Sequence, residues 1–304
     1  MDEATRRDID KITWRTLREA GEIQPPVRIE AVLNYLNLYR DYFDLQNPGF
    51  LDNAKHKLLV HGRKLATILR KIKLKAVLLN DERRIIIDRS LPEIKRDHPS
   101  FHEVSHRIIP WHRPYFSYGD TAQTLDPDWH EVLEAEANYG ASAMMFCGHV
   151  FTSETHDAPP EWATVQALSK RYGKSMSTTL RRFVQFGPDL PMAMLVSTPS
   201  WMPKPQDQIT RSRHLVISKR FAAEFSSVTP AELVDNVNSH AVRRKGGPVA
   251  DFTCCLANDN GELQEFRGET FFNTHYLQTL FVIQREVEAK SIIVPRKVKQ
   301  FLGR

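Results

Sequence analysis

Cysteine is scarce in this sequence: Cys147 stands alone, and Cys254 sits beside Cys255. Three cysteines in 304 residues cannot form a disulfide framework, and the count fits a reducing compartment. Adjacent residues of a strand point to opposite faces, so Cys254 and Cys255 do not read as a metal pair. Long apolar runs are missing too, and with them any expectation of a membrane span or membrane partner. The opening stretch "MDEATRRDIDKITWRTLREAG" is charged throughout and has no apolar core of a secretory signal. A cytoplasmic protein is the expectation. Nor is charge of one sign in large excess. The balance of 42 basic against 37 acidic residues gives +5, a mild excess compatible with a nucleic-acid partner but far from proof of one. There is no internal repeat and no low-complexity segment.

What is present is ordinary for a globular chain, 41% hydrophobic and 26% charged, long enough for about two domains. Residues 1 to 24 alternate in charge and suggest an exposed or frayed helix. After a Pro pair, "VRIEAVLNYLNLYRDYF" places Ile29, Val32, Leu33, Leu36 and Tyr39 at helical spacing. "KHKLLVHGRKLATILRKIKLK" predicts a basic amphipathic helix whose charged face is more simply solvated than bound to phosphate. "KAVLLN" and "RRIIID" around "DE" predict two short strands and a turn. A long irregular connection follows Pro110.

"DPDWHEVLEAEANYGASAMMF" is the clearest helix, with Asp126 at the N-cap and Pro127 at the first position. Its Gly140, Ala141, Ser142 and Ala143 are small enough to let another helix come close. "EWATVQALSKRYGKSMSTTLRRFVQFG" predicts two short helices around Tyr172-Gly173, with Val165, Leu168, Tyr172, Met176, Leu180 and Phe183 inward. From about residue 191, "MAMLVS", "HLVIS", "ADFTCCLA" and "SIIVP" predict strands, and "NDNG" at 258 to 261 a hairpin turn.

The chemistry is concentrated in "HEVSH", residues 102 to 106. On a helix, His102 and His106 share a face and can present two imidazoles to one ion. Glu103 then lies beside the ion, placed to take a proton from bound water. A catalytic zinc needs a third protein ligand. The following helix offers Glu131, Glu134 and Glu136. Glu136 is favoured because its helical neighbours Val132, Leu133, Tyr139 and Gly140 predict a buried face, where an unpaired carboxylate is costly. Glu134 shares a face with Glu131 and Asn138 and reads as exposed. His98, His112, His130, His149, His156, Tyr115, Tyr118 and Tyr139 crowd the region without singling themselves out as groups that steady an intermediate.

At these residues the sequence resembles the ImmA/IrrE-type metallopeptidases. The parts that carry the resemblance are "RRIIID", "IKRDHPSF", "HEVSH" and "EAEANYGASAMM", with "VRIEAVLNYLNL" before them and "VQALSKRYGKSMSTTLRRFVQFG" after. Ser105 departs from the glycine common before the second His, and "MMFCGHV" replaces the usual apolar, Pro-closed ending. The resemblance implies an α+β fold with a zincin-like metallopeptidase core, a helix-turn-helix-like helical segment and a C-terminal mixed α/β domain. The expected division is an N-terminal extension (1–24), the metallopeptidase domain (25–157), the helical segment (158–190) and an α/β domain (191–304) with a GAF-like sensor as one reading. It implies Zn2+ held by His102, His106 and Glu136, with Glu103 as catalytic base. Two His and a carboxylate also suit Mn2+ or Fe2+. The expected partner is a protein substrate, a repressor-type transcription factor, in induction or stress response. The alternative is a DNA-binding transcriptional regulator with a vestigial peptidase core, in which Arg171, Lys174, Arg181 and Arg182 meet phosphate.

Overall fold

The computed structural model describes residues 1–43, 76–79, 83–113, 127–203 and 211–284. The basic amphipathic segment, the "DE" turn, Asp126, Tyr115, Tyr118, most of the connection after Pro110 and "SIIVP" lie outside the described residues. The architecture is mixed helix and sheet, as expected.

Helix α1 (Glu3–Glu19) opens with Asp2 accepting a hydrogen bond from the Thr5 N–H at 2.7 Å. It is not a frayed extension. Ile9 and Leu17 are buried in the core, because a stripe of apolar and Thr residues recurs under the charged surface. Helix α2 (Ile29–Tyr35) ends one turn before the expected point. Asn37 has φ +52, the Asn37 N–H bonds Asn34 O at 3.1 Å, and the Leu38 N–H bonds Leu33 O at 2.9 Å. This left-handed closure turns the chain into strand β1 (Tyr39–Phe43). β1 pairs in parallel with β3 (Arg84–Asp88), and β2 (Ala76–Leu79) pairs antiparallel on its other side.

Helix α3 (Asp97–Ile108) carries "HEVSH" and stops before Pro110, whose 3-10 turn holds Trp111 and His112. Helix α4 (Pro127–Met145) packs along α3 and α1. Gly140 explains how closely. A β-carbon there would stand 2.9 Å from Ser105 Oγ and 3.4 Å from Ile9 Cγ2. Helices α5 (His149–Thr155), α6 (Trp162–Tyr172) and α7 (Met176–Phe186) follow. Gly173, at φ +61, makes the expected turn between α6 and α7. Of the predicted inward positions, Met176 alone is only partly buried.

The C-terminal sheet is antiparallel, in the order β5-β4-β8-β7-β6, with β4 (Met192–Ser197), β5 (Ser212–Ile217), β6 (Gly247–Ala257), β7 (Leu263–Phe272) and β8 (Leu277–Ile283). Helices α8 (Lys219–Glu224) and α9 (Pro230–His240) connect β5 to β6. The expected Asn-Asp-Asn-Gly turn joins β6 to β7, with Asn258 Oδ1 accepting from the Asn260 and Glu262 N–H groups. Cys254 is buried and Cys255 exposed, on opposite faces. Strand periodicity divides β4 and β8 between two cores. Met192, Met194, Val196, Leu280 and Val282 join the cluster of Ile9, Phe101 and Phe183. Ala193, Leu195, Leu277, Phe281 and Ile283 join Phe221, Phe225 and Leu233. The sheet is thus one wall of the core that holds α3.

Candidate metal centre

The shared face of α3 brings His102 Nε2 to 3.1 Å from His106 Nε2. The carboxylate that meets them comes from Glu134, not Glu136. Its Oε2 lies 3.2 Å from His102 Nε2 and its Oε1 3.4 Å from His106 Nε2. Ligands about 2.0–2.1 Å from a tetrahedral ion stand roughly 3.3–3.4 Å from one another, close to the separations among the two imidazole nitrogens and the carboxylate, whose two oxygens face one histidine each. His102, His106 and Glu134 lie close enough together to hold a metal ion.

Glu136 is buried, as its neighbours predicted, but its partners are different. Two residues along a helix the side chain leaves in a nearly opposite direction. Glu136 Oε2 accepts from Trp111 Nε1 at 2.6 Å and contacts His112 Nε2 at 2.9 Å. His112 Nδ1 in turn lies 2.9 Å from His106 Nδ1. One assignment of protons satisfies the chain: His106 Nδ1–H donates to His112 Nδ1, and His112 Nε2–H donates to Glu136. That tautomer leaves His106 Nε2 with its lone pair toward Glu134 and His102. On the other side, His102 Nδ1 lies 3.2 Å from Asn138 Oδ1, one helical turn beyond Glu134. Both imidazoles are therefore oriented through the nitrogen that faces away from the cluster.

Protonation follows the surroundings. Burial pushes His106 and His112 down from the ordinary histidine value, against the pull of Glu134 and Glu136 respectively. For His102 burial also pulls down, but the hydrogen bond to Glu134 and the charges of Glu103 and Glu134 outweigh it and raise the value. Burial would raise Glu134, yet the hydrogen bond from His102 and the nearness of both histidines hold it well below the usual carboxylate range. An ionised Glu134 and a neutral His106 are the forms a cation requires, and an ion would displace the proton favoured on His102.

The remaining candidates are placed elsewhere. Tyr139 donates to Asp10 of α1 at 2.9 and 3.0 Å, facing away from the cluster. His149 meets Trp14 edge-on, and His156 is exposed. His98 stacks near His102, 6.5 Å between ring centres. Nothing in its spacing marked His112 as a support for His106. Of the four cations proposed to meet phosphate, Arg182 is buried over the Phe186 ring and Lys174 is buried against Asp97 at 2.9 Å. Arg171 is tied to Glu154, which leaves Arg181 exposed.

No family model matches the chain, and no curated protein matches it. Among solved structures, one described as a Mycobacterium tuberculosis transcriptional regulator is similar over 96% of this chain and 92% of its own, with a TM-score of 0.52 and 12% identity. The likeness is one of fold. Among the described residues no helix is long and apolar enough to cross a membrane.

Proposed function

We propose that the chain is a metal-dependent endopeptidase of the ImmA/IrrE type, with a zincin-like core, acting on a repressor-type transcription factor. The observation that carries this reading is the meeting of His102 Nε2, His106 Nε2 and the Glu134 carboxylate at 3.1 to 3.4 Å. Their donor set suits Zn2+, and also Mn2+ or Fe2+. When bound, the metal lowers the pKa of its water to about 7 and polarises a peptide carbonyl. The residues supply the rest. His102, His106 and Glu134 are the ligands, and Asn138 and His112 fix the two rings. Glu103, next to His102 on α3, holds the proton taken from the water and passes it to the leaving amine. The five-stranded sheet with its α8–α9 crossover supports a regulatory C-terminal unit, for which a GAF-like sensor is the proposed type.

The second reading is a DNA-binding regulator with an inactive core. The structural neighbour described as a transcriptional regulator favours it. The deciding experiment is elemental analysis of chain purified without added metal and again after zinc is supplied. About one zinc per wild-type chain, lost in Glu134→Ala while the circular dichroism spectrum is kept, supports the peptidase. A wild type that takes up no metal even from added zinc turns the reading toward DNA. A repressor cleaved by the wild type and spared by Glu103→Gln would establish the activity.

A further inference from the structure

A cleft of about 1750 Å³ runs from Asn138, the residue that orients His102, to the face of the C-terminal sheet that carries Met194 and Val196. One wall is the first turns of α7, and the floor is formed by Met194, Val196, Phe271 and Tyr276. Small-molecule sites are about 300–1,000 Å³, so this volume suits a stretch of polymer. Its charge is one-sided. Arg6, Arg7, Lys95, Arg181 and Arg213 line it, against the carboxylates of Glu3 and Asp10. Asp10 is already engaged by Tyr139, and Glu3 lies 3.7 Å from Lys219.

The floor holds an unanswered group. Gln278 is 3% exposed, and its Oε1 has no hydrogen-bond partner among the described residues. Its Nε2 donates to Ser177 Oγ, and in that orientation the amide oxygen is left unsatisfied. A buried acceptor without a donor is unfavourable, and a peptide N–H entering the cleft would satisfy it. In register, His214, Val196, Gln278 and Phe271 form one cross-strand row on this face, so the acceptor sits between apolar floor and basic rim.

We propose that this cleft docks an acidic, partly apolar segment of a protein. Resting on the peptidase reading, that protein is the substrate, held by a site separate from the bond that is cut. The apolar floor takes every second side chain, Gln278 takes a backbone N–H, and Arg181 and Arg213 pair with carboxylates at the rim. Duplex DNA fits this shape poorly. Its grooves are entered by a projecting helix or ribbon, whereas the basic groups here rim a concave surface with an apolar floor. Charge complementarity of this kind governs encounter and specificity, and it weakens with salt.

The test uses the full chain carrying Glu103→Gln, so that a bound segment is not cut, and a fluorescein-labelled peptide of alternating Glu and Leu. Fluorescence anisotropy is expected to show saturable binding that weakens as salt rises. Arg181→Glu combined with Arg213→Glu is expected to weaken binding about tenfold or more, whereas Lys170→Glu, exposed outside the cleft, leaves it unchanged. Arg181→Glu alone, at an exposed position, serves if the double variant folds poorly. Gln278→Leu is expected to weaken binding at every salt concentration. Absence of binding, binding indifferent to the reversals, or displacement of the peptide by a tighter-binding duplex DNA would overturn the proposal. The measurement requires no cleavage, so a chain that binds the peptide but never holds a metal would retain the dock and lose the peptidase.

Discussion

Ser105 rests directly on Gly140: a β-carbon at position 140 would approach its hydroxyl to 2.9 Å and its β-carbon to 3.2 Å. The hydroxyl is already committed, donating to Phe101 O at 2.8 Å. This contact sets the separation between α3 and α4, the two helices that bring His102 and His106 to Glu134.

Gly140→Ala gains up to about 1 kcal/mol of helix propensity, but overpacking typically costs about 1–3 kcal/mol. A net loss is expected, lowering the thermal midpoint by a few degrees. Adding Ser105→Gly opens the space and is expected to recover part of it. A Gly140→Ala variant as stable as the wild type would show that the helices do not meet this closely.

The pair behind His106 should tune the metal rather than hold it. His112→Phe and Glu136→Gln are each expected to keep one zinc per chain but bind it about 10–100-fold more weakly, the usual cost of losing an outer partner. Competition with a chromogenic chelator reads this directly. Complete loss of zinc from Glu136→Gln, with Glu134→Ala still loaded, would restore Glu136 as the ligand.

Arg267 forms two hydrogen bonds to Asp251, at 2.9 and 3.0 Å across β6 and β7, and holds its carboxyl below the ordinary value of 3.8. A carboxylate lowered on folding contributes stability above its unfolded value, and the contribution is lost as pH falls through the folded one. Asp251→Asn is therefore expected to cost stability at pH 7, by no more than about 1 kcal/mol for so exposed a pair. The gap from the wild type should close below about pH 4 and in high salt. Urea unfolding at several pH values would show it, and a gap that widens in acid would contradict the sign.

Local signals were the readable ones. Pro127 marked the start of α4 and the small residues from Gly140 to Ala143 its close approach to a neighbour, Gly173 marked the turn into α7, and Asn258 to Gly261 marked a hairpin. The left-handed stop at Asn37 was legible in principle, since Asn tolerates that conformation, but the apolar spacing running on to Tyr39 concealed it. β8 is buried on both faces, so "LQTLFVI" shows no alternation to read.

In the site, helical spacing was enough to unite His102 and His106. It favoured Glu136 over Glu134, where the structure brings Glu134 to the histidines, because burial and exposure were inferred from neighbours on the same helix alone. The deciding fact is which face of α4 meets α3, a property of packing. Burial of Glu136 was foreseen, but the partners that make it tolerable, Trp111 and His112, come from a turn beyond the end of another helix.

The two-sided sheet has a consequence for how this chain can be cut or inherited. Met192, Met194 and Val196 complete the core that holds α3, while the residues between them complete another. A fragment ending before β4 would leave the apolar backs of its own helices bare, and one beginning there would lose half its cover. The two portions are therefore not cassettes to be exchanged between proteins; neighbouring positions along β4 answer to different cores.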